Sequence, residues 1–61
     1  MDTYTACSIV EGFSGKNHTE EEHIEAWQEL VNSGACWTLQ GWYGRTAQSL
    51  IDQGIINAAK A

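Results

Sequence analysis

Sixty-one residues allow one domain, residues 1–61, built on a single small core. Eight acidic against three basic side chains give a net charge of −5, which repels nucleic-acid phosphates and anionic lipid and suits basic partners. The chain is 43% hydrophobic, too rich for obligate disorder, yet holds no bilayer-spanning run and no signal segment, so a soluble protein inside the cell is expected.

In chain order, residues 2–12 fit a short helix capped by Asp2 or Thr3 and closed by Gly12, with Ala6, Ile9, Val10 and Phe13 facing inward. Thr, Tyr, Ile and Val also suit a strand, but nothing else in the chain reads as a strand to pair with it. Residues 14–18 are polar and read as a loop. Thr19 followed by Glu20, Glu21 and Glu22 has the form of a capping box, and the acidic first turn complements the positive end of a helix. Beyond it, Ile24, Trp27, Leu30 and Val31 share one arc, while Glu21, Glu22, Glu25, Glu29 and Asn32 share the other. Gly34 is placed to end this helix in the left-handed conformation.

Residues 35–41 form a connection in which Trp37 and Leu39 are expected to plug into the core. A last helix fits residues 42–53, with Tyr43, Ala47, Leu50 and Ile51 inward and Gly54 as its stop. Residues 28–35 and 48–55 look alike, which shared C-cap chemistry explains better than a repeat. Residues 57–61 read as a frayed tail. The expected fold is all-α, a small bundle of about three helices with a Trp-anchored connection before the last. Its core is expected to be Phe13, Ile24, Trp27, Leu30, Val31, Trp37, Leu39, Tyr43, Leu50 and Ile51.

The run over residues 25–55, with Ser33-Gly34, Trp37, Leu39-Gln40-Gly41, the aromatic Tyr43, Gly44-Arg45-Thr46-Ala47 and a Leu50-Ile51 helix ending in Gly54, resembles a family of very small tailed-bacteriophage proteins. Their shared signature is Leu-Gln-Gly-x-aromatic-Gly-Arg-Thr-Ala after an acidic helix. The match covers about half the chain, and residues 15–18 look inserted relative to that pattern. The resemblance implies a phage genome and expression inside a bacterium; it carries over no activity and no catalytic residue.

Candidate chemistry is sparse. Cys7, His18, His23 and Cys36 supply enough zinc ligands but lack the close paired spacing of a structural zinc site, so packed, reduced thiols and no metal or cofactor are expected. The glutamates lie on a solvated helix face, where carboxylate pKa values are not driven apart as acid–base catalysis needs. His23 falls on the core side of its helix beside Trp27 and Leu30, where a bond to a backbone carbonyl is the common outcome. Gly41-Trp42-Tyr43-Gly44 lacks the ending and the preceding strand of a phosphate loop, and no nucleophile motif is present. Arg45 has two structural uses open to it, pairing with Asp52 or binding carbonyls of residues 39–41. A bidentate grip on a partner is its functional use.

Trp42 points at least about 80° away from the arc of Tyr43, Ala47 and Leu50 if the last helix starts there. Thr46, Ser49 and Gln53 lie on its side, making a polar strip headed by an exposed tryptophan. The competing reading folds Trp42 back over Gly41 to cover the core. These residues lead to a non-enzymatic accessory protein that binds a bacterial or phage protein in the host cytoplasm during infection or host takeover, as inhibitor or adaptor. Its expected contacts are Trp42, Arg45, Thr46 and Ser49, with the acidic stripe of Glu21, Glu22, Glu25 and Glu29. A homodimer stays open. The alternative, a small helix-turn-helix-like DNA-binding regulator, faces an almost uncharged would-be recognition helix.

Overall fold

A computed structural model describes residues 1–12, 15 and 17–58, and among them it contains three α-helices, one 3₁₀ turn and no strand. Helix α1 spans Thr3–Glu11. Asp2 caps it by accepting the Thr5 amide at 2.7 Å, and Gly12 closes it with φ +79°. Helix α2 spans Glu20–Asn32. Its capping box is complete: the Thr19 hydroxyl accepts the Glu22 amide at 3.1 Å, and the Glu22 carboxylate accepts the Thr19 amide at 3.0 Å. Helix α3 spans Gly41–Asp52, one residue earlier at each end than expected.

Helices α2 and α3 stop by related means. Gly34 and Gly54 both take left-handed backbone, with φ +79° and +76°, and their amides bond Val31 and Ile51 carbonyls respectively. At α3 the turn is completed by the Ile55 amide reaching the Leu50 carbonyl, the full Schellman pattern. At α2 the Ala35 amide instead meets the Ser33 hydroxyl at 3.3 Å, and the chain enters the 3₁₀ turn Ala35–Trp37.

That turn overturns part of the expected core. Cys36 points inward and is buried, while Trp37 and Leu39 on either side are 50% and 41% exposed. Three residues per 3₁₀ turn leave room for one inward side chain in so short a segment, and the small thiol takes it. Neither Trp37 nor Leu39 is therefore a core plug. The buried core consists of Ala6, Ile9, Ala26, Trp27, Leu30, Val31, Cys36, Tyr43, Ala47 and Ile56, with Ile24, Leu50 and Ile51 half-buried against it. Ala6 and Ala26 let α1 and α2 approach closely, while α3 reaches α2 through larger side chains, the ring of Tyr43 meeting that of Trp27. Phe13, expected in the core, lies outside the described residues.

The segment after α3 is tied down at its start. Ile56 is buried, and the Gln28 side chain brackets Asn57, accepting its amide at 2.8 Å and donating to its carbonyl at 2.9 Å. Fraying therefore does not begin at Asn57; residues 59–61 of the expected tail lie outside the described residues, as do Ser14 and Lys16 of the expected loop. Among the described residues no helix is long and apolar enough to cross a membrane.

Candidate functional site

The start of α3 carries an unusual sequence, Gly41-Trp42-Tyr43-Gly44, and the two glycines have different neighbours. A Cβ built on Gly44 would meet the Trp37 ring at 3.4 Å and the Cys36 carbonyl oxygen at 3.6 Å. Trp37 thus rests its indole on the glycine backbone of α3 while leaving half its surface to solvent. A Cβ on Gly41 would lie 3.1 Å from Nη1 of Arg45, so the guanidinium folds back over the first turn. Trp37, Thr38, Leu39, Gln40, Gly41 and Arg45 are all exposed, which makes the connection and the start of α3 a mixed surface with two large apolar side chains, Trp37 and Leu39, and one positive charge.

Trp42 does not head an exposed strip. It is half-buried against the core: its ring stacks on Tyr43 at 4.1 Å and meets Trp27 edge-on at 6.2 Å. Its indole N–H donates to Oε1 of Gln40 at 3.0 Å, so the residue preceding α3 holds the ring in place and leaves the helix without a side-chain cap. The reading in which Trp42 folds back over the helix start is the one observed. On the same side, Thr46 is half-buried, and exposed Ser49 accepts from the Gln53 amide through both its hydroxyl and its carbonyl.

Arg45 adopts neither expected structural tie. Among the described residues it has no ion pair or hydrogen bond, and Asp52 instead accepts from the Gln48 amide at 3.0 Å. The acidic stripe is also divided. Glu21 and Glu25 are exposed on α2, Glu29 is half-buried, and Glu22 is occupied in the capping box. Oε2 of Glu22 also lies 3.1 Å from Nδ1 of His18. The Thr19 amide and His18 hold the Glu22 carboxyl below the usual range. His23 is half-buried, with its ring edge-on to that of His18 at 6.3 Å.

Among the described residues no group of three or more His, Cys, Asp or Glu side chains is placed to hold a metal ion. Cys7 and Cys36 are free thiols, and burial pushes the Cys36 thiol up, away from the thiolate that nucleophilic or metal chemistry requires. Charge is strongly segregated along the chain. Five glutamates fall in α2, whereas residues 30–51 contain no acid and one arginine. The seating of Trp37 on α3 had one signal in the sequence: Gly44 sits inside a helix with no turn to make, a sign that something lies flat on the backbone there.

The family described as Domain of unknown function (DUF7417) matches residues 12–61, well over half of the chain. The chain belongs to DUF7417. The part of it that DUF7417 covers includes α2, the 3₁₀ turn and α3, hence the whole candidate surface, and leaves out α1. No curated protein and no solved structure matches the chain.

Proposed function

We propose that this chain is a non-enzymatic accessory protein of phage origin that binds a bacterial or phage protein in the host cytoplasm, acting as an inhibitor or adaptor. The observation that carries the binding role is the exposed Trp37, seated on Gly44 beside exposed Leu39 and Arg45. A large aromatic held from below and open above is pre-organised, so little conformational freedom is lost when a partner covers it. Trp and Arg are also the side chains most enriched at binding hot spots. The phage origin is supported by the resemblance over residues 25–55, and the inhibitor or adaptor role rests on that resemblance alone.

The exposed Glu21 and Glu25 of α2 would steer a basic partner toward this surface. Thr46 and Trp42 contribute by supporting α3 and not by direct contact. A DNA-binding role draws no support from α3, whose exposed face carries one positive and one negative side chain.

Affinity capture from lysate of infected bacteria tests the proposal, comparing the natural chain with Trp37→Ala and Leu39→Ala. The expected result is a protein retained by the natural chain and lost from both variants, whose melting is unchanged. Retention of the same protein by a folded Trp37→Ala variant would sink the assignment of this surface.

A further inference from the structure

Gly41 and Gly44 stand three positions apart on α3, so their Cβ sites are surface neighbours about 5–6 Å apart. Each is covered by a side chain from elsewhere, the Arg45 guanidinium on Gly41 and the Trp37 ring on Gly44. A cation and an aromatic ring are therefore set side by side against bare backbone, both open to solvent. Leu39, two residues after Trp37 on the same connection, is exposed as well.

The cation is unmatched. Arg45 is the one lysine or arginine among the described residues, and the chain has eight acids, yet among the described residues Arg45 has no ion pair and no hydrogen bond. Residues 30–51 hold no acid, and Asp52, the next one along α3, has its carboxylate bonded to the Gln48 amide. The first turn of α3 has no acid either, so the positive end of the helix adds to the field of Arg45 instead of cancelling it. On a chain of net charge −5, this stretch is where a negative group meets least repulsion.

We infer that this surface takes a segment of a partner protein in which a glutamate or aspartate is flanked by large apolar side chains. The carboxylate bonds Arg45, and the apolar groups cover Trp37 and Leu39. This occupant presupposes the binding role proposed above for the Trp37 surface. One guanidinium matches one carboxylate, through charge-assisted hydrogen bonds for which its donors are unspent among the described residues. Trp37 and Leu39 call for apolar cover, which a phosphate polymer, repelled by the net charge of −5, does not give. Glu21 and Glu25 act at a distance on the partner's overall charge, whereas Arg45 acts in contact on a single group.

NMR titration of the full chain tests it, following the Trp37 indole N–H and the Arg45 Nε–H. The probe is a blocked pentapeptide with glutamate at its centre and leucine on either side, set against the same peptide with glutamine or lysine at the centre. The glutamate peptide should shift both signals and bind at least about fivefold more tightly than the glutamine peptide. Arg45→Gln should erase that preference, and Trp37→Ala should weaken both peptides, with circular dichroism showing both variants folded. Equal affinity for the glutamate and glutamine peptides overturns the inference, as does tighter binding of the lysine peptide or no shift at about 10 mM peptide. A Trp37 signal that moves with protein concentration alone would give the surface to a second copy and overturn it too. Loss of a captured host or phage protein in Trp37→Ala but not in Arg45→Gln would leave the binding surface standing and remove the carboxylate.

Discussion

The Tyr43 hydroxyl donates a hydrogen bond to the Glu11 carboxylate, joining α3 to the last residue of α1 across 32 positions of sequence. Tyr43 is buried, and its ring lies 5.8 Å from that of Trp27, so one side chain links all three helices. Helix α3 is therefore held to α1 by a polar tie at the rim and to α2 by aromatic packing beneath it.

The burial of Tyr43, together with this tie, predicts an alkaline limit to stability. Burial above all, then the Glu11 carboxylate and the Cys7 thiol, push the Tyr43 phenol well above its ordinary value of 10.0. The unfolded chain loses this proton near its ordinary pKa while the folded chain keeps it. Stability that is full below that pH is lost as pH rises above it. Tyr43→Phe should cost about 0.5–1.5 kcal/mol at neutral pH. Its deficit relative to the natural chain should shrink between roughly pH 10 and 11. Parallel melting curves for the two proteins across that range would count against a buried, protonated Tyr43 phenol.

At the acidic end, Glu22 is a sensitive group, as is Asp2, whose carboxyl is lowered by its hydrogen bonds with Thr5. The Glu22 carboxyl is lowered by the Thr19 amide and then by His18, so it contributes stability above its ordinary value of 4.5 that is lost as pH falls through the lowered value. Glu22→Gln should flatten the acid limb of the stability profile, and Thr19→Ala should cost about 1 kcal/mol. An unchanged acid limb in Glu22→Gln, measured by urea titration, would refute the capping role in solution.

The three tryptophans should separate cleanly. Trp27 is buried and touches both other rings of the core, so Trp27→Ala should cost about 3–5 kcal/mol, comparable to the total stability of so small a domain. Trp42→Ala should be intermediate. Trp37→Ala should cost less than about 1 kcal/mol, because half of its surface is already in water. Chemical denaturation ranks them, and a Trp37 variant as damaging as Trp27 would show that the connection is core.

Glycine substitutions should differ in sign by position. Gly34 and Gly54 have nothing within 4 Å of a would-be Cβ, so the cost there is backbone strain alone. Alanine should destabilise by about 1–2 kcal/mol, and valine by more. Gly44 has a helical backbone and an ordinary contact to an exposed ring, so Gly44→Ala should be neutral or stabilising by up to about 1 kcal/mol. A destabilised Gly44→Ala would mean that Trp37 cannot yield.

The helices and their ends were legible in the sequence because the bonds that set them are local. Asp2 reaches Thr5, Thr19 and Glu22 exchange bonds three residues apart, and Gly12, Gly34 and Gly54 each relieve a strain confined to one residue. Nothing remote is needed to favour those states. The directions of the aromatic side chains were decided only when the helices packed. Trp37 went outward because Cys36 fills the inward place and Gly44 offers a flat seat, and Trp42 went inward because Trp27, fifteen positions earlier, completes its ring contact. The docking of Asn57 likewise waits on Gln28, 29 positions away. Helical periodicity gives the direction in which a side chain leaves the backbone; which neighbour it meets depends on contacts between segments that the local pattern does not encode.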